Sequence, residues 1–192
     1  FSSRRRHTRF LHRSRGLGDV YKRQLHELLI TLVLIATLAT LASPSFVTAL
    51  ARSRQVTEIN ALSHAIHLAR KESIVHRKVV TLCPSPDGRN CRATTDWSVG
   101  WIVFRNTDRD MPPRVDPGET IILSHNVTRE IRVTSNRRSY TLRATAKRAT
   151  NGTLVVCDAR RRISARALVV SFTGRPRVAA ERPDGSAYTC AE

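Results

Sequence analysis

Residues 28–42 decide the fold, and they read Leu28-Leu29-Ile30-Thr31-Leu32-Val33-Leu34-Ile35-Ala36-Thr37-Leu38-Ala39-Thr40-Leu41-Ala42. No charged residue occurs from Leu28 to Ala51. A bilayer core about 30 Å thick needs roughly 20 such residues in a helix. A cleaved secretory signal has a shorter apolar core and a small-residue cleavage site, and the alanines in this stretch keep that alternative open.

The helical pattern continues beyond the apolar stretch, which argues against a signal peptide. Apolar residues recur at three- and four-residue steps while charged residues occupy other faces. The apolar positions are Val56, Ile59, Leu62, Ile66, Ala69 and Ser73 or Ile74, and the charged ones are Arg52, Arg54, Glu58, Arg70 and Lys71. We therefore predict one long helix over residues 25–77, transmembrane over about 25–47 and amphipathic over about 52–76. Pro44 should kink or locally unwind it.

Residues 78–192 have the composition of a β-rich globular head. Short β-prone runs alternate with turn residues such as Pro84-Ser85-Pro86-Asp87-Gly88 and Asn151-Gly152. Eight strands are predicted, over 78–83, 99–105, 120–124, 131–134, 140–144, 153–157, 167–172 and 175–179. The predicted fold class is α+β, with a long N-terminal transmembrane helix packed on an antiparallel β-sheet head.

The chain has four cysteines, Cys83, Cys91, Cys157 and Cys190. An even count behind an apolar N-terminal segment is typical of an oxidising compartment. Three pairings are possible, of which we favour Cys83–Cys91, a short local loop, and Cys157–Cys190, which ties down the C-terminus. No pair has C-x-x-C spacing, so zinc chemistry is not expected.

The chain is strongly basic, with a formal net charge of +18. Residues 1–24 carry eight of the basic residues and one acid, show no periodicity, and resemble translated adapter or cloning sequence. A genuine polybasic leader is the alternative. We interpret this segment as non-native, and without it the net charge is +11. That excess favours an anionic partner such as nucleic acid or a membrane surface.

An acidic residue at the start of a membrane span is costly and is a functional hypothesis by default. Glu27 is that residue, in the run Leu25-His26-Glu27-Leu28-Leu29-Ile30. This run, with Pro44 seventeen residues after Glu27, resembles the N-terminus of type IV pilins and type II secretion pseudopilins. The head is similar to the GspH/FimT family of minor pilins and pseudopilins in several runs: 68–73, 80–85, 96–104, 157–160, 167–171 and 174–177.

The resemblance implies a subunit of a type IV pilus or type II secretion filament, anchored by one pass in the bacterial inner membrane with its head in the periplasm. It implies that Glu27 pairs with the N-terminal amine of a neighbouring pilin and sets subunit register, with Pro44 as the second assembly residue. Prepilin peptidase would cleave and methylate the native precursor. Lys22, Arg23 and Gln24 replace the Gly-Phe-Thr of the family's processing site, so the sequence as it stands is a poor peptidase substrate.

The C-terminal third supports an alternative function, DNA binding during transformation. Twelve basic residues and two acids lie between Arg137 and Arg182, including Arg143, Lys147, Arg148 and Arg166. Gly174-Arg175-Pro176-Arg177 resembles the G-R-x-R motif of DNA-binding minor pilins of competent bacteria. Stacking aromatics are scarce, so double-stranded DNA would be held through phosphates. The candidate DNA-binding residues are Arg160, Arg161, Arg162, Arg175 and Arg177; a solvated basic face is the alternative.

No enzyme, cofactor or metal is expected. Asn106, Asp108 and Asp110 alternate like the start of a calcium loop, but Met111-Pro112-Pro113 replaces the required glycine. A plain acidic loop is the preferred interpretation. No nucleophile motif is present.

Overall fold

The computed structural model describes residues 17–144 and 149–190. It contains one helix and eight strands, and it divides into two compact units, Phe1–Phe46 and Val47–Glu192. The helix is α1 (Leu17–His76), and the strands are β1 (Val80–Pro84), β2 (Trp101–Arg105), β3 (Ile121–His125), β4 (Ile131–Ser135), β5 (Tyr140–Leu142), β6 (Gly152–Asp158), β7 (Arg166–Val170) and β8 (Pro176–Ala179). Each predicted strand overlaps one of these, and the α+β fold class is confirmed.

The first unit contains a helix that is long and apolar enough to cross a membrane. The candidate span is Arg23–Ala42, with a mean hydropathy of 2.0 and no residue buried by the rest of the chain. Its hydroxyls donate to carbonyls one turn back, as Thr31 Oγ1 does to Leu28 O at 2.8 Å. These bonds satisfy the polar groups inside the helix, as a lipid environment requires. The helical conformation continues through Pro44, so the predicted unwinding there is not observed.

The C-terminal half of α1 supplies one wall of the head core. Ile59, Leu62, Ala65, Ile66 and Ala69 are buried in a stripe with helical spacing.

Two details of the predicted face are wrong. The predicted packed face includes Val56, which is 44% exposed. It leaves out Glu58, which is only 2% exposed. The buried stripe begins at Ala51 and includes Gln55 and Glu58, because both polar side chains find hydrogen-bond partners in the head. α1 ends at His76, and Arg77 follows with a φ of 53°, the left-handed conformation that often terminates helices.

Two four-stranded antiparallel sheets form the head, ordered β3-β2-β1-β5 and β4-β6-β7-β8. Trp97, Trp101 and Tyr140 are fully buried in the core between them and α1, as are Leu154 and Leu168 from the second sheet. Both tryptophans are therefore core residues.

The other face of the second sheet is covered by the C-terminal segment. Tyr188 and Cys190 pack with Cys157 and Ala167 there. Disulfides join Cys157 to Cys190 and Cys83 to Cys91, the two pairs favoured from the sequence.

Candidate functional site

Glu27 lies in the candidate span with its side chain 66% exposed. Its carboxylate Oε1 is 3.5 Å from Arg23 Nε, one turn back on the same helix. Arg23 belongs to the segment interpreted as non-native, so this pair does not identify the native partner of Glu27. Pro44, the second predicted assembly residue, lies within α1 in the same unit.

The turn between β7 and β8 presents two of the predicted DNA-binding arginines. Arg175 and Arg177 are both exposed and flank Pro176, the first residue of β8. Gly174 has a φ of 69°, and a Cβ added to it would lie 3.0 Å from Leu142 Cδ2. Glycine is therefore required to bring this turn against the head.

The same turn lies close to a third basic side chain. Arg70 Nη1 on α1 is 3.5 Å from the position that a Cβ on Gly174 would occupy, and Arg143 directly follows Leu142, which packs at this glycine. We call Arg70, Arg143, Arg175 and Arg177 the Arg175 group. Lys147 and Arg148, which belong to the same basic window, lie outside the described residues.

The other predicted arginines lie in the segment between β6 and β7. Arg162 donates from Nη2 to Asp158 Oδ1 at 2.6 Å and from Nε to Asp158 Oδ2 at 2.9 Å. Hydrogen bonds from Arg162 hold the pKa of the Asp158 carboxyl below its usual value, despite the opposing effect of burial. The Arg162 charge is thus largely balanced, whereas Arg160 beside it is exposed.

Two more arginines lie near this segment. Arg52 of α1 and Arg166 of β7 line one small cleft with Arg162. We call Arg52, Arg160, Arg161, Arg162 and Arg166 the Arg52 group.

The Arg52 and Arg175 groups are well separated. Arg160–Arg162 precede the first residue of β7 and Arg175 follows its last, a distance of about 16 Å for five residues of strand. On α1, Gln55 contacts the first segment and Arg70 lies at the second, about 22 Å apart for 15 residues of helix. The five predicted DNA-binding residues therefore do not form one cluster.

Sequence reasoning missed a buried polar link between α1 and the first sheet. His125 Nε2 lies 2.9 Å from Glu58 Oε2, and the Thr128 amide donates to Glu58 Oε1 at 3.3 Å. The His125 ring stacks on Trp101 with centroids 4.3 Å apart. Glu58 has the helical spacing of the buried stripe, and that spacing was the one available signal.

In the acidic loop, Asp116 lies beside Asp108 and Asp110, a proximity that the sequence did not indicate. Carboxylate oxygens of Asp108, Asp110 and Asp116 lie within 4.8 Å of one another. Desolvation, followed by a hydrogen bond and repulsion from Asp108, raises the pKa of Asp116. The three carboxylates repel one another when all are ionised.

A groove of about 1050 Å³ crosses β4 and β6 beside the C-terminal segment. Arg129, Arg132 and Arg182 line it, together with Asp96 and several hydroxyl side chains. The Arg182 guanidinium lies 5.4 Å from the centroid of the Tyr188 ring. The groove is therefore lined mainly by basic and hydroxyl side chains.

Comparison with known families identifies the chain. Residues 58–174 match the profile of the family "Type II transport protein GspH". Because that match covers more than half of the sequence, the protein belongs to the GspH family of minor pilins and pseudopilins, as the resemblance of the motifs predicted.

Solved structures agree at the level of the fold. The type IV minor pilin FimU of Pseudomonas aeruginosa, in one crystal form, is 17% identical with a TM-score of 0.50, covering 71% of this chain and 94% of FimU. A second crystal form gives 18% identity and a TM-score of 0.46, covering 71% and 96%. A search of curated proteins gives no match.

Proposed function

We propose that the protein is a membrane-anchored subunit of a type IV pilus or a type II secretion filament, assembled through the first part of α1. The observation that carries this proposal is that no residue of the span Arg23–Ala42 is buried by its own chain. About 20 residues of apolar helix surface must then be covered by lipid or by other helices.

Glu27 is the proposed register residue within that surface. A carboxylate in an apolar setting is costly, and an ammonium on a neighbouring subunit offsets much of that cost. The amine at the processed N-terminus of another pilin is such a group. In a chain with Gly-Phe-Thr at 22–24, phenylalanine replaces Arg23, so the local pair is lost and the Glu27 carboxylate is available for that amine.

The test compares Glu27→Ala with Thr31→Ala in the same span, each in a chain with Gly-Phe-Thr restored at 22–24. Thr31 is a matched control because its hydroxyl bonds only within its own helix. We expect Glu27→Ala to reach the membrane in normal amount but to be missing from sheared filaments. Thr31→Ala should enter filaments normally, and normal entry of Glu27→Ala would contradict the register role.

A second function, DNA binding, is favoured by the Arg175 group. Arg175 and Arg177 are exposed, have no carboxylate partner among the described residues, and flank Pro176, whose ring restricts the backbone between them. Planar guanidiniums bind phosphate through two nitrogens, so contact with duplex DNA would be independent of sequence. We assign this proposal to the Arg175 group rather than to Arg160–Arg162, because Arg175 and Arg177 have no carboxylate partner among the described residues, whereas Arg162 is bonded to Asp158.

Fluorescence anisotropy of a labelled DNA duplex with the full chain in nanodiscs tests this proposal. Arg175→Gln with Arg177→Gln should weaken binding and reduce the slope of log K against log salt by about one unit for each lost phosphate contact. Arg52→Gln with Arg166→Gln removes the same charge elsewhere and should change the slope less. Equal slopes of log K against log salt in the two double variants would contradict the assignment of DNA binding to the Arg175 group.

A further inference from the structure

The Arg52 end of the head contains a small basic cleft that the filament role does not use. The cleft measures about 320 Å³, near the lower end of the range for small-molecule sites. Arg52, Gln55 and Val56 line it from α1, and Arg162, Ser164 and Arg166 line it from the opposite segment.

The walls of this cleft are fixed in place by buried hydrogen bonds. Gln55 is buried, and its Nε2 donates to Val156 O and to Ser164 O, both at 2.9 Å. The two bonds hold the segment before β7 against α1. Arg162 is held from the other side by its two bonds to Asp158. The cleft is therefore preorganised rather than formed by mobile surface side chains.

Two charges in the cleft are uncompensated. Arg52 and Arg166 are exposed, and neither has a carboxylate within 4.0 Å in the described parts of the chain. One comes from α1 and the other from β7, so two guanidiniums line one cleft. Such a pair suits a phosphate group, whose oxygens accept from the planar fork of arginine.

The position of Arg52 in the chain indicates the source of the phosphate. Arg52 is the first charged residue after the uncharged run Leu28–Ala51, ten residues beyond the end of the candidate span at Ala42. Basic residues next to a span attract anionic lipids. Val56, one turn further on the same helix face, offers an exposed apolar surface beside the charges.

We propose that Arg52 and Arg166 bind the phosphodiester of an anionic phospholipid, such as phosphatidylglycerol, in the membrane that holds the span. The site is distinct from the Arg175 group and independent of Glu27.

The experiment uses the full chain in nanodiscs that contain phosphatidylcholine with a minority of phosphatidylglycerol. Native mass spectrometry counts the lipids that stay bound after release. Wild-type protein should retain phosphatidylglycerol in preference to phosphatidylcholine. Arg52→Gln with Arg166→Gln should lower that preference roughly thirtyfold, which corresponds to about 1 kcal/mol for each basic residue near an anionic surface.

Arg175→Gln with Arg177→Gln is the matched control, since it removes the same charge from the other basic group. It should keep the wild-type preference, and so in large part should Arg52→Lys with Arg166→Lys. A wild-type protein without preference, or equal losses in the two glutamine variants, overturns the proposal.

Two further arms separate the lipid from other phosphates. Displacement of phosphatidylglycerol by millimolar inorganic phosphate would reassign the cleft to a soluble anion and overturn the lipid assignment. Loss of duplex DNA binding in the Arg52 and Arg166 variant, with unchanged lipid retention, would overturn it in favour of nucleic acid. Filament assembly is not measured in any arm, so failure here leaves the proposed filament role standing.

Discussion

The two halves of α1 contain similar side chains in very different surroundings. Leu34 in the first half is 55% exposed, whereas Leu62 in the second half is fully buried in the core that also contains Trp97 and Trp101. The two glutamates differ in the same sense, since Glu27 in the first half is exposed and Glu58 in the second half is buried. The second half is buried by its own chain, whereas the first half leaves its apolar side chains exposed.

The largest expected difference concerns the two leucines. Leu62→Ala should lower the free energy of unfolding of the head by about 3–5 kcal/mol, because it leaves a cavity in a close-packed core. Leu34→Ala, which removes the same atoms from an unburied position, should leave head unfolding unchanged. Thermal unfolding of the full chain in nanodiscs, followed by tryptophan fluorescence, measures both. A large effect of Leu34→Ala would mean that the span packs on the head.

The disulfides should stabilise the head alone. Replacing Cys157 and Cys190 with serine should cost about 4 kcal/mol for a 33-residue separation, and replacing Cys83 and Cys91 about 2.5 kcal/mol for an 8-residue separation. Membrane extraction of the span should be unaffected in either variant. Denaturant unfolding checks the order, and the reverse order would indicate that loop length does not govern these two bonds.

Substitution of the two glutamates should affect different properties, namely head stability for Glu58 and filament assembly for Glu27. Glu58→Ala should destabilise the head by about 1–3 kcal/mol, because His125 and the Thr128 amide lose their acceptor. Glu27→Ala should leave head unfolding unchanged while it removes the protein from filaments. Unfolding curves and filament fractionation measure the two outcomes. An assembly defect in Glu58→Ala at a temperature where the head remains folded would contradict a purely stabilising role for Glu58.

The smallest expected effect is a pH dependence confined to the head. The pKa of Asp158 is lowered in the folded state, so its contribution is present above the unfolded value of about 3.9 and is lost as the pH falls through the folded value. Asp158→Asn should therefore unfold more easily than wild type at neutral pH, with the gap narrowing in strong acid. Melting temperatures across this range measure it; a constant gap would contradict the role of Arg162.

Local patterns in the sequence predicted the elements well. The uncharged run indicated the span, and β-prone runs between turn residues indicated all eight strands. These features depend on neighbouring residues. The split into two sheets was not predictable, because β5 pairs with β1 across more than fifty residues while β4 joins the other sheet.

The candidate sites were less predictable, because they too depend on contacts between residues that are far apart in the sequence. The count of charges along the chain assigned Arg160–Arg162 and Arg175 and Arg177 to one basic region. In the structure they lie at opposite ends of β7. The burial of Glu58 depends on His125, 67 residues away. Asp116 joins Asp108 and Asp110 only through the folding of its loop. Long-range partners decide the sites, and sequence spacing does not reveal them.

Photo-crosslinking at two equally exposed positions of α1 tests the contrast between its halves most directly. A photoreactive residue replaces Leu34 or, as the matched control, Ile74, which is 50% exposed. Irradiation in phospholipid nanodiscs should attach lipid to the chain at position 34 and none at position 74. Lipid adducts at both positions, or at neither, would contradict a helix with one half in the membrane and the other in the head.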